Sequence, residues 1–258
     1  MERQMADEAA RQGSGPIKAL LFDTFGTVVD WRGGVAREAA AFLARHGIEG
    51  DPAAFADSWR NFYQPAMEEI RNGRRSFTRL DVLHRENLER VLEAWNLDPK
   101  TFATEELDDL NRAWHRLDPW PDSVEGLRRL REHYLVAPLS NGNILLLTNM
   151  AKRAGIPWDC ILGAEVVRAY KPQPSSYLAT AEVLGLQPEE CMLVAAHNSD
   201  LEAASAVGLR TAFVLRETEH GPLQTTDLGP TGPWDVVASD MIDLAEQLGA
   251  GPLEGARS

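Results

Sequence analysis

The ten residues KALLFDTFGT, positions 18 to 27, form an apolar run that ends on one aspartate, Asp23, and passes at once into a turn-like T-F-G-T. A short apolar run with turn residues beyond it suits a strand buried on both faces. The same pattern recurs in YLVAPLS (134 to 140), CMLVAA (191 to 196), TAFVL (211 to 215) and DVVASD (235 to 240), and more weakly in CILGAEVV (160 to 167). Helical patterns separate these runs: PDSVEGLRRLREH, NILLLTNMAKRAG, PSSYLATAEVLG and DLEAASAVG. Strands alternating with helices predict an α/β fold whose parallel sheet is covered on both sides.

Between residues 33 and 117 the pattern changes. VAREAAAFLARHG, PAAFADSWRNFYQPAMEEIRNG, SFTRLDVLHRENLERVLEAWN and TEELDDLNRAWHRL all have helical spacing, with no convincing strand among them. The expected organisation is a core made of residues 17–32 and 118–258, interrupted directly after the first strand by an all-helical insertion over 33–117. The return to the core falls at DPWPDSVEGL, where prolines, Asp and Ser mark a boundary and a new helix start. Residues 1–16 are polar, lack the apolar segment of a secretory signal, and read as a disordered tail.

Composition narrows the function classes. The 258 residues carry 26 Lys and Arg against 39 Asp and Glu, a net charge of −13, so the overall field repels nucleic acid and anionic membranes. An anionic small molecule has to be drawn in by local cations. Cys160 and Cys191 show no metal-ligand spacing and no disulfide framework, which suits two thiols in a reducing, cytoplasmic setting. No stretch approaches the length of a membrane span.

Ligands of open parallel sheets gather at the carboxyl ends of the strands, and Asp23 falls at one such end. A lone Asp there is commonly a turn former or a cap. Other segments, however, deliver polar side chains to the same edge: Ser140 and Asn141, then Lys171, then His197-Asn198-Ser199-Asp200. The DTFGT run from Asp23 to Thr27, the Ser140–Asn141 pair, Lys171 with Pro172, and the acidic close at Asp200 resemble, in order and spacing, the haloacid dehalogenase superfamily. The resemblance covers about residues 17 to 248. It implies a Rossmann-like core with a helical cap after the first strand, Asp23 as nucleophile, Thr27 and Ser140 holding the transferred group, and Lys171 neutralising the nucleophile and its adduct.

Most members of that superfamily are magnesium-dependent phosphatases that read D-x-D; here the second position is Phe25, and a phenyl ring cannot move a proton. The acidic pair expected in the last motif is replaced by VAAHNSD. Both changes point to chemistry without metal or cofactor, as in the dehalogenase branch. The sequence resembles that branch further in Trp59-Arg60, in Ser140-Asn141-Gly142 and in Lys171 followed by Tyr177. VDWR and AAHNSDL are similar to the subgroup handling haloacetates, fluoroacetate included. It departs from better-known 2-haloacid dehalogenases, which have Tyr at Phe25, Asn at His197 and Trp at Ser199.

The implied reaction is hydrolysis of short 2-haloacids to 2-hydroxyacids through an ester on Asp23. Ser140 and the 24–27 turn would grip the substrate carboxylate, and Arg60 and Asn141 would receive the halide. Phe25, Trp59 and Tyr177 would wall the site, with Thr24, His197 and Asn198 also on the substrate and halide side. Asp200, paired with Lys171, ranks ahead of His197 as the group that positions or deprotonates the hydrolytic water. A phosphatase and a non-catalytic binding domain are the alternatives. Apolar cap helices commonly pair with a second subunit, so a homodimer is expected.

Overall fold

The protein is described by a computed structural model over residues 15–252; most of the expected tail, residues 1–14, lies outside the described residues. β1 (Ala19–Phe22) is followed by a short β2 (Val29–Asp30) and by five helices: α1 (Trp31–His46), α2 (Pro52–Asn61), α3 (Tyr63–Arg71), α4 (Leu80–Ala94) and α5 (Thr104–Asn111). The chain returns through β3 (Asp118–Pro119), α6 (Ser123–Arg131), β4 (Leu135–Pro138), α7 (Ile144–Ala154), α8 (Ala164–Val167), α9 (Pro174–Val183), β5 (Cys191–Ala195), α10 (Asn198–Ala206), β6 (Arg210–Val214), β7 (Val236–Ala238) and α11 (Met241–Gln247).

The main sheet runs β4-β1-β5-β6-β7 and every pairing in it is parallel. β1 lies between β4 and β5, with Leu21 opposite both Ala137 and Leu193. The period of two then sorts its side chains. Leu20 and Phe22 enter a core shared with Val136, Val194 and the helical segment, whereas Ala19 and Leu21 enter a second core with Ala137, Leu193 and Tyr177. Both faces are dry, which is why β1 reads as a continuous apolar run rather than an alternating one.

The helical stretch leaves and re-enters through one narrow neck. β2 and β3 pair antiparallel, Val29 opposite Pro119 and Asp30 opposite Asp118. Asp30 also caps α1 by accepting from Gly33 N at 2.8 Å, a bond worth about 1 kcal/mol. Asp51 does the same for α2, which starts on Pro52.

Two expectations are corrected. The pattern over 52–73 is two helices, because Pro65 has no N–H to give the Asn61 carbonyl and its ring crowds that turn, so the chain breaks at Phe62. The weak strand at 160–167 is a single bridge from Gly163 to Ser140 followed by α8. Asp159 accounts for the difference: its N–H donates to Val136 O and its carboxylate accepts from Val136 N, both at 2.9 Å, so β4's edge is satisfied before a ladder can grow.

Candidate active site

Asp23 follows the last residue of β1, where its N–H still donates to Val194 O at 3.0 Å, so the sheet fixes its backbone and leaves its carboxylate at the strand ends. Four donors were placed around this edge by the fold. Lys171 Nζ donates to Asp23 Oδ1 at 2.9 Å and also to Asp200 Oδ2. Thr27 Oγ1 donates to Asp23 Oδ2 at 2.7 Å and accepts from Ala196 N, which ties the turn after β1 to the end of β5. His197 Nδ1 donates to the same Oδ2 at 3.1 Å, since an ionised carboxylate can only accept. Tyr177 OH donates to Asp200 Oδ1 at 2.6 Å, so both Asp200 oxygens are engaged.

Burial by itself would raise the Asp23 carboxyl, but the Lys171 ammonium and His197 outweigh it and hold it far below the usual carboxylate range. Lys171 is also deeply buried, which disfavours its charge; Asp200 and Asp23 more than compensate and keep it protonated above the ordinary lysine value. The nucleophile candidate is thus an ionised, desolvated carboxylate.

A cavity of about 530 Å³ opens above it, lined by Asp23, Phe25, Arg60, Asn141, Lys171, His197 and Asp200 from the expected set. The helical segment supplies its roof. Arg60 lies over the Tyr63 ring at 4.1 Å and the Trp31 ring at 5.1 Å, and its Nη1 is buried with no hydrogen-bond partner among the described residues. An arginine nitrogen so placed is a donor awaiting an acceptor. Asn141 turns its Oδ1 to Lys171 N at 2.9 Å, which leaves its amide protons for the cavity.

The remaining expected residues stand behind the wall. Thr24 and Ser140 are buried beneath it, Ser140 accepting from Gly142 N at 3.1 Å. Trp59 is buried in the helical segment with its Nε1 on His84 O, and Tyr177 braces Asp200 from below. Asn198 does not join the site at all. Its side chain donates to Asp227 and Gly229 O and accepts from Thr231 N and Trp234 Nε1, which spends every polar group on holding the 227–234 loop.

Sequence reasoning missed Tyr63, Gln64, Arg71, Glu219 and His220 in the lining. Tyr63 and Gln64 lie three and four positions after Arg60 and were within reach of a same-face argument. Arg71 donates to Lys171 O at 3.0 Å and binds the helical segment to the core. Glu219 had no local signal. It sits on the loop after β6, buried, with its carboxylate accepting from His197 Nε2 at 2.9 and 3.0 Å and from Trp31 Nε1 at 2.9 Å.

Magnesium, which phosphatases of this superfamily use, does not fit these residues. The point between the Asp23 and Asp200 carboxylates is taken by the Lys171 ammonium, and Phe25 offers no side-chain oxygen to this edge. His197, Glu219 and His220 also converge, with ligating atoms within 4.8 Å of one another, but the first two are already joined through a shared proton.

The family model for haloacid dehalogenase-like hydrolases matches residues 17–208. The (S)-2-haloacid dehalogenase of Xanthobacter autotrophicus is 28% identical over 219 residues, covering 84% of this chain and 82% of that protein. Among solved structures, a defluorinating L-2-haloacid dehalogenase is 59% identical with a TM-score of 0.90, covering 91% of this chain and 96% of its own. An L-2-haloacid dehalogenase from Xanthobacter autotrophicus with chloropropionic acid covalently bound is 26% identical with a TM-score of 0.74, covering 90% and 98%.

Proposed function

The chain belongs to the haloacid dehalogenase-like hydrolases, and from that membership we propose that it is a 2-haloacid dehalogenase that cleaves short (S)-2-haloacids and haloacetates, fluoroacetate among them, without a metal ion. The observation that carries the reading is Phe25 beside the Lys171 bridge. One ammonium keeps Asp23 ionised, and Phe25 lines the cavity without the acidic group that would protonate a leaving alcohol, so the carboxylate is suited to act as a nucleophile toward carbon.

An Asp23 oxygen attacks the α carbon in line, the carbon–halogen bond breaks, and the halide leaves on the far side toward Arg60 and Asn141, whose donors are unspent. The backbone N–H groups of the turn after Asp23 hold the substrate carboxylate, and Ser140 supports the 140–142 turn from behind the wall. Water then attacks the carbonyl carbon of the Asp23 ester and releases the 2-hydroxyacid. Phe25, Tyr63 and Trp31 dry the space around Arg60, which strengthens each of these electrostatic contacts. Residues 31–117 act here as a cap over the sheet edge.

The reading extends to a cytoplasmic homodimer. Two unpaired thiols suit a reducing compartment, and exposed Val82, Ile144 and Leu145 lie on segments joined by the Asp81–Asn143 bonds. The activity is tested by incubating the enzyme in EDTA with chloroacetate, fluoroacetate and each enantiomer of 2-chloropropionate, and measuring free halide. Halide is expected from the haloacetates and the (S) enantiomer. Single-turnover hydrolysis in heavy-oxygen water is expected to leave the isotope in Asp23. No halide from any of the four, with turnover of a phosphate ester once magnesium is added, overturns the reading.

A further inference from the structure

Two cavity groups touch the nucleophile and are held by a buried carboxylate on the other side, Lys171 by Asp200 and His197 by Glu219, and of the two only the imidazole can give up its proton and become a base near neutral pH. Its Nδ1 lies 3.1 Å from Asp23 Oδ2, and its Nε2 lies 2.9 and 3.0 Å from the two Glu219 oxygens. Glu219 is 1% exposed and is fixed in turn by Trp31 Nε1. This is the relation of an imidazole to the carboxylate that sets its tautomer in acyl-transfer enzymes: one ring nitrogen is committed, and the other faces the reacting centre. Asp200 has no such freedom, because Lys171 and Tyr177 take both of its oxygens. Geometry also excludes His197 from the halide side. In-line displacement puts the leaving group opposite the attacking oxygen, and His197 is bonded to the attacking carboxylate itself.

On the dehalogenase reading above, we infer that His197, backed by Glu219, is the base that activates the hydrolytic water, and that alkylation of Asp23 is what releases it for that task. Before alkylation the imidazolium lies between two carboxylates. Burial disfavours its charge, yet Glu219 and Asp23 together hold its proton well above the ordinary histidine range. Ester formation removes the negative charge of Asp23, and with it one of the two anions facing the ring. The other charged or titratable groups around it are Asp200 on its own helix, Lys171, His220 beside Glu219, and Arg60 from the roof. Losing Asp23 tips that balance toward the neutral ring.

Once Nδ1 has lost its proton to solvent, its lone pair faces the ester. Water gives a proton to Nδ1 as its oxygen bonds to the Asp23 carbonyl carbon. The tetrahedral oxyanion collapses, the bond from that carbon to the Asp23 oxygen that had displaced the halide breaks, and the departing alkoxide takes the proton from His197, carrying that oxygen into the product while the oxygen from water stays on Asp23. Asp23 is left as an acid that re-ionises against Lys171 and hands its proton back to His197. Per turnover, one haloacid and one water yield a 2-hydroxyacid, a halide and a proton.

The test follows both half-reactions by rapid quench with chloroacetate, reading free halide and the mass of the esterified enzyme. In His197→Asn the burst of one halide per site is expected to persist while ester hydrolysis slows by about 10²-fold or more, so the ester accumulates. Glu219→Gln, a change to a positioning residue, is expected to slow hydrolysis about tenfold and to move its pH inflection downward, since a neutral amide no longer holds the imidazole proton. Parental ester hydrolysis in His197→Asn overturns the inference, as does loss of the halide burst itself in a folded variant. Accumulation of ester in Asp200→Asn but not in His197→Asn overturns it in favour of the aspartate, and loss of hydrolysis in EDTA with recovery on zinc overturns it in favour of a metal. Should His197→Asn not fold, Glu219→Gln decides alone, an unmoved pH inflection counting against the pair. Absence of a burst from the parent enzyme marks failure of the dehalogenase reading instead.

Discussion

At the scale of single residues the site is a chain of buried charges, each tolerable only because of the next. Asp23 depends on Lys171, Lys171 on Asp200, and His197 on Asp23 and Glu219. Gly26 shows how closely this is fitted. Its φ is +90°, and a Cβ there would lie 2.1 Å from Glu219 Oε1, so any other residue meets a strained backbone and must push aside a carboxylate held by His197 and Trp31. Gly26→Ala is expected to destabilise the fold by about 1–3 kcal/mol and to lower dehalogenation disproportionately, through displacement of Glu219. Urea unfolding followed beside halide release checks both, and a variant with parental stability and rate would remove the fit from the explanation. Asp23, Lys171 and Asp200 were legible as residues because strand ends and motif spacing mark them. Glu219 was not, because its partners His197 and Trp31 are 22 and 188 positions away.

At the scale of elements, apolar periodicity located the five sheet strands and the helices between them, since a buried strand and an amphipathic helix each impose a repeat on the chain. It failed at Phe62 and at 160–167, where one proline and one aspartate acting on a neighbouring strand decided the outcome. Packing between elements sets a different kind of constraint. α6 meets α11 at Gly126, where an added Cβ would stand 2.5 Å from Met241 O. Because backbone cannot yield as a side chain can, Gly126→Ala is expected to cost about 1–3 kcal/mol. This contact is remote from the cavity lining, so the folded fraction should keep its parental halide release; a drop in rate without a shift in urea midpoint would contradict this.

At the scale of the whole molecule, a net charge of −13 coexists with a cavity whose lining includes Arg60, Arg71 and Lys171, so an anionic substrate meets local cations inside a repulsive envelope. The buried charges also set how stability follows pH. Asp23 and Glu219 have folded values below their ordinary 3.8 and 4.5, so their contribution is complete above those values and is lost as pH falls through the lower folded ones. His197 runs the other way: its contribution is complete below 6.5 and disappears as pH rises through its elevated folded value. Urea midpoints measured from acid to alkaline pH are expected to fall at both ends, and His197→Asn is expected to flatten the alkaline limb. An alkaline limb identical in the two proteins would show that the proton on His197 does not couple to folding.

What the order of residues determined alone was the α/β alternation and the helical pattern of the interruption, which follow from local periodicity, and the candidacy of Asp23, Lys171 and Asp200, which follows from motif order and spacing. Which of those residues face the cavity, which brace it from behind, and that Glu219 holds the far side of His197 were decided only by folding. Burial, hydrogen-bond direction and the charge around a group arise when distant segments meet, and no local pattern in the chain encodes them.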